Sequence, residues 1–144
     1  MLNARVALRK NAKVELLKSV PLFAGCSKKD LGEIALVTDE LELGAGTTLI
    51  AEGSRAHEFF VLLDGSVEVT SGGKLLTELG PGSHFGEIAL VSDVPRTATV
   101  RATSPVRVLL LTDRAFARLM RKVPSIAISV LESLAERVTQ DATA

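Results

Sequence analysis

Arg96, with Glu87 before it and glycines at positions 80, 82 and 86, is the combination in this chain that could do chemistry. An anion held by a protein needs donors that are already oriented. Gly86 followed by the apolar run Ile88-Ala89-Leu90 reads as the start of a helix, whose first N–H groups are unpaired and whose dipole favours negative charge. Gly86 carries no side chain to block close approach, and Arg96 adds a planar, permanently charged fork that matches phosphate or carboxylate oxygens. Glu87 is a liability beside an anion unless the same ligand also presents a hydroxyl for it to accept. A phosphate with a neighbouring sugar hydroxyl meets both demands, which points to a nucleotide. Taken singly, each residue has a plainer explanation: Glu87 as an acid in a first helical turn, Arg96 as a surface arginine after Pro95, Thr97 as a strand former. Their combination in one loop between two strands outweighs those explanations.

Other site chemistries are poorly served. A metal-dependent β-barrel enzyme needs clustered histidines and carboxylates, and this chain has two histidines, His57 and His84, without a partner motif. No Ser/His/Asp or Cys/His arrangement stands out, and nothing near Arg96 reads as a base able to activate water. The expectation is binding without turnover, with no metal and no cofactor. The single cysteine, Cys26, reads as a small buried hydrophobe rather than a reactive thiol.

The elements that must position the loop follow from length and periodicity. At 144 residues the simplest reading is one domain, 1–144, able to bury about 68 to 70 per cent of its unfolded surface. Its 17 basic and 17 acidic side chains cancel, which argues against direct nucleic-acid binding. Acids dominate 28–58 and bases dominate 96–122, a pattern of solvated faces and internal pairing. No apolar run reaches the roughly 18 residues of a membrane span, and the basic start lacks an apolar signal region. The expected compartment is the cytoplasm.

Helical periodicity over 12–20 ends at Pro21, and a second helix over 28–38 has Ser27 as its cap and Asp30 in its first turn. Leu22 and Phe23 lie between them and should pack the pair together. From Asp39 apolar residues alternate, and nine of eleven glycines fall between Gly44 and Gly86. Strands are expected at 41–43, 48–51, 59–63, 66–70, 75–79, 98–102 and 106–111. Asp64-Gly65 and Gly72-Gly73 both suit two-residue hairpins. Helices return at 113–123, with Asp113 as cap, and at 125–139, whose apolar stripe covers a pocket, packs on the barrel or faces a second copy. The fold class is mainly β with flanking helices (α+β): a β-roll or jelly-roll barrel over 39–112 carrying the 80–100 loop, N-terminal helices over 1–38 and C-terminal lid helices over 113–144.

Phe85-Gly86-Glu87-Ile88-Ala89-Leu90 and Pro95-Arg96-Thr97-Ala98-Thr99-Val100 resemble the phosphate-binding cassette of the cyclic-nucleotide-binding domain family. That family includes protein kinase A regulatory subunits, cyclic-nucleotide-gated channels and the catabolite activator type of transcription factor. Pro21-Leu22-Phe23, Gly53, Gly65 and the order of elements extend the resemblance over nearly the whole chain. It implies a ligand site of Phe85, Gly86, Glu87, Ile88, Ala89, Leu90, Arg96, Thr97 and Ala98. Arg96 would hold the equatorial phosphate oxygens, Glu87 the ribose 2′-hydroxyl, and the amides of Gly86, Ile88 and Ala89 the rest of the cradle. Cyclic AMP is the favoured ligand, while Thr97 also suits the guanine amino group of cyclic GMP. Ser83-His84 replaces the acidic-aromatic pair common before Phe85, and the last helix has no aromatic to cap the purine. Leu134, Arg137 and Val138 are the candidates for that lid. The implied protein is a stand-alone bacterial sensor with a protein effector; a homodimer through the last helix is one of the roles its apolar stripe leaves open. The alternative is the sensor domain of a larger transcription factor or channel.

Overall fold

The computed structural model describes residues 9–143. The chain forms two compact units, one spanning 38–117 and the other made of the chain before Thr38 and after Ala117. The first unit holds eight strands: β1 (Asp39–Leu43), β2 (Thr48–Ile50), β3 (Glu58–Asp64), β4 (Val67–Ser71), β5 (Lys74–Leu79), β6 (His84–Phe85), β7 (Thr99–Ala102) and β8 (Val106–Thr112). They build two four-stranded antiparallel sheets in the orders β1-β8-β3-β6 and β2-β7-β4-β5. Leu62, Phe60 and Val108 from one sheet share a core with Leu49, Ile50, Val67 and Val100 from the other. Alternation places Phe60 and Leu62 on one inner face, while the consecutive Leu49 and Ile50 both reach the core at a register shift in β2; the pattern is that of a two-sheet jelly roll. The expected β-roll with flanking helices is the observed fold.

One ion pair joins the acidic block to the basic one. Arg107 on β8 meets Glu40 on β1 at 2.7 Å, and both side chains are largely shielded from water.

The second unit contains α1 (Lys10–Lys18), a 3-10 turn (Pro21–Phe23), α2 (Lys28–Leu36) and α4 (Pro124–Thr143). The Ser27 hydroxyl accepts from the Asp30 N–H at 3.1 Å, so the expected cap is present. Leu22 and Phe23 are fully buried, and their turn packs on α1 and α4. Each such side chain contributes about 1.5–3 kcal/mol. Burial pushes the Cys26 thiol up to about 11, with Asp30 raising it further and a hydrogen bond from Ser129 opposing the shift. Cys26 is therefore a protonated, unreactive thiol at neutral pH. No helix is long and apolar enough to cross a membrane among the described residues.

Four local expectations change. Asp64-Gly65 is no hairpin: β3 pairs with β6 and β8, β4 pairs with β5 and β7, and the turn carries the chain from one sheet to the other. His84–Phe85 forms a strand that two residues between glycine turns could not announce; it pairs with Phe60 and Val61. Thr112, not Asp113, caps α3 (Asp113–Lys122), its hydroxyl accepting from the Ala115 N–H at 3.2 Å. The last helix starts one residue earlier than expected: α3 ends at Lys122, Val123 breaks the helix, and Pro124 is the first residue of α4, since a proline lacks only an N–H that the first turn leaves unpaired.

Candidate functional site

The 3-10 turn Glu87–Leu90 follows β6, and Gly86 caps it in the left-handed region with φ 88°. A tighter 3-10 turn thus stands where sequence periodicity suggested an α-helical start. The Ala89 N–H donates to the Gly86 carbonyl at 3.1 Å, so the turn itself engages this amide. Gly86 is required for two reasons. Its φ is one that other residues adopt at a cost of about 1–3 kcal/mol, and a Cβ here would overlap Arg96 Nη1 and lie 2.8 Å from the Glu58 carbonyl.

Arg96 is only 8% exposed, and backbone holds it from several sides. Nε donates to the Ala56 carbonyl at 2.8 Å, and Nη2 donates to the Glu58 carbonyl. The Arg96 N–H donates to Ser54 O at 2.9 Å, and Arg96 O accepts from the Gly53 N–H at 2.8 Å. The guanidinium is therefore fixed before any ligand arrives, with Nη1 beside Gly86. Burial lowers its pKa, against the opposing pull of Glu58. An arginine remains charged under such a shift at neutral pH, so the result is a desolvated, preoriented cation.

Gly86 and Arg96 border a cavity of about 600 Å³ confined to the β unit. Phe85, Glu87, Ile88, Ala89, Thr97 and Ala98 also line it, so eight of the nine ligand residues proposed from the sequence converge there. Leu90 is buried and is not among the lining residues. Leu134 and Val138 belong to the helical unit; Leu134 is half-buried and Val138 exposed. The Arg137 side chain lies outside the described residues.

Sequence reasoning missed the floor of the cavity. Cross-strand pairing places Ile50 opposite Val100, Val100 opposite Val69, and Val69 opposite Thr77. This row crosses β2, β7, β4 and β5, and all four residues line the cavity. Ile50 reaches the Gly86 end, where its Cδ1 lies 3.2 Å from a Cβ position on that glycine. Thr77 lies three strand spacings away, about 14 Å. The cavity thus has a cationic end and an apolar floor ending at a hydroxyl. Period-two alternation predicted inward residues, but only the register could align them in one row.

His57, set aside for want of a motif, touches the turn. Its Nδ1 lies 3.0 Å from the Ala89 carbonyl and its Nε2 2.9 Å from Asp93 Oδ1. No group of three or more His, Cys, Asp or Glu side chains able to hold a metal occurs among the described residues.

A two-sheet jelly roll with a preoriented arginine over a glycine-capped turn defines a class of small-anion and nucleotide receptors. Residues 40–123 match the family model described as the cyclic nucleotide-binding domain, and the chain belongs to that family. It is 36% identical to a cAMP-dependent protein kinase regulatory subunit of Mycosarcoma maydis over 74% of this chain and 22% of that protein. It is 35% identical to a cyclic nucleotide-gated potassium channel of Mesorhizobium japonicum over 85% of this chain and 34% of the channel. The chain spans about a fifth to a third of the length of these two relatives. The crystal structure of the N-terminal domain of a transcriptional regulator from Streptomyces coelicolor superposes with a TM-score of 0.80 at 29% identity. That match covers 90% of this chain and 96% of the other.

Proposed function

We propose that this chain is a non-catalytic sensor that binds cyclic AMP in the cavity of the β unit and passes the signal to a protein effector. The observation that carries the reading is Arg96, buried, charged and oriented by backbone carbonyls at the glycine-capped end of a cavity with an apolar floor. Arg96 holds the phosphate, the Gly86 and Ile88 amides assist it, and Glu87 accepts the ribose 2′-hydroxyl. Phe85 and Ala98 shape the pocket, Leu90 packs beneath the turn outside it, and the purine lies over Val69 and Val100 toward Thr77. Thr97 leaves room for cyclic GMP as a second ligand. The volume is within the range of small-ligand pockets.

On binding, the side chain of Ile88, 37% exposed, turns inward, and α4 changes position, Leu134, Arg137 or Val138 covering the base. Ile128, Leu131 and Val138 are exposed on α4, and this stripe meets the effector or a second copy. The setting is the cytoplasm, with no direct contact to nucleic acid or membrane. A second reading, a sensor domain within a longer regulator or channel, is favoured by the longer relatives and by the match to a regulator's N-terminal domain.

Calorimetric titration with cyclic AMP and cyclic GMP tests the site. Arg96→Leu should weaken binding by about ten- to a hundredfold, the size of a hydrogen bond to a charged group. Equal affinity in a folded variant would refute the assignment. Incubation should leave the cyclic phosphodiester intact, and 5′-AMP formed by pure protein would show an enzyme. Sequence-specific retardation of DNA by the chain would remove the sensor-only reading.

A further inference from the structure

The segment 53–58 is a template for the second half of the cassette. Besides its four bonds to Arg96, it sends two side chains across to the turn and the loop after it. Arg55 Nη1 donates to the Asp93 carbonyl at 2.6 Å and lies 3.8 Å from the Asp93 carboxylate. His57 bridges the Ala89 carbonyl and Asp93 Oδ1. Ala89 is buried in the turn, and the turn's N-terminal cap, Gly86, lies beside Arg96 Nη1. Holding the Ala89 carbonyl therefore fixes the cradle.

The bridge has a proton requirement. A carbonyl oxygen and a carboxylate both accept, while a neutral imidazole offers a single N–H. Only with both ring nitrogens protonated does His57 donate to both partners. The Asp93 carboxylate also faces Arg55, whose Nη1 lies 3.8 Å away. Glu58 follows His57 in the chain, and the Asp113 N–H donates to the His57 carbonyl at 3.0 Å. Resting on the nucleotide reading above, we propose that His57 is a positioning residue of the phosphate cradle, and that latching the turn retains one proton on its ring. Nucleotide binding, which needs the turn in place, is then linked to that proton, and affinity falls as pH rises through the range where histidines titrate, about 5 to 8.

Cyclic AMP titrations from acid to mildly alkaline pH test this in the wild type, His57→Gln and Asp93→Asn. The wild type should lose about fivefold in affinity across the range, the scale of a partly exposed ion pair. His57→Gln should bind about fivefold more weakly at the acid end and show no pH dependence; Asp93→Asn should flatten the slope less. A slope that persists in His57→Gln belongs elsewhere, as in His84, and overturns the proposal. In the ligand-free protein, NMR should show the amide signals of residues 88–91 titrating with the His57 imidazole, and losing that titration in His57→Gln. If those amides titrate but no cyclic nucleotide binds at any pH, the ligand reading fails and the latch stands. If cyclic AMP binds with flat pH dependence, the latch fails and the ligand reading stands.

Discussion

Asp64-Gly65 and Gly72-Gly73 are nearly interchangeable as sequence, yet they do different work. Gly72 and Gly73 have φ values of 59° and 79° and close the β4–β5 hairpin, with Ser71 paired to Lys74. Nothing lies within 4 Å of a Cβ on either. Gly65, at φ 89°, passes between sheets, and a Cβ there would overlap the Pro105 carbonyl and approach Ser104 Oγ and Val106 Cγ1 at 2.9 Å. The Asp64 carboxylate accepts from the Gly65 N–H at 3.0 Å, and the Ser66 N–H donates to Ser104 Oγ at 3.0 Å. The same local demand for a left-handed residue thus serves an open turn in one place and a packed crossover in the other. Gly86 belongs with the second kind, because Arg96 and the Glu58 carbonyl occupy its side-chain space.

This contrast is open to direct attack. Gly65→Ala should cost about 3 kcal/mol or more, combining left-handed strain with displacement of a backbone carbonyl; urea unfolding measures it, and a loss under 1 kcal/mol would erase the distinction. Gly86→Ala should cost about 2–3 kcal/mol, somewhat less because one obstructing group is a side-chain end that can shift. Unlike Gly65→Ala, it should weaken cyclic AMP by more than about tenfold in protein that remains folded, since it displaces Arg96. Calorimetry on both variants at one temperature separates the two losses. Gly73→Asn should fall within about 0.5 kcal/mol of the wild type, asparagine tolerating the left-handed region in open space. Alkylation of Cys26 at pH 8 provides a sensitive comparison: a thiol raised to about 11 labels slowly while native, so Gly73→Asn should label at the wild-type rate.

Much of the site was legible because it is contiguous. Gly86, Glu87 and Arg96 sit within one loop, and their joint chemistry could be weighed before any fold was known. The strands were legible where period-two alternation ran for several residues, as in Glu40-Leu41-Glu42-Leu43 of β1, and illegible where it could not, as in the two-residue β6. What stayed hidden depends on contacts between distant positions. His57 reaches Ala89, 32 residues away, and a histidine without a spacing motif gives no sign of that. Thr77 reaches the cavity only through the β4–β5 register, which a bulge between Val69 and Thr70 shifts.

The sequence by itself determined most element types, the left-handed turns and the loop that gathers Gly86, Glu87 and Arg96, because each rests on residues close together in the chain. Tertiary structure alone decided which glycine turn closes a hairpin and which crosses between sheets, which carbonyls orient Arg96, and that His57 spans two acceptors. Those outcomes depend on register and through-space packing, which a local run of residues does not encode.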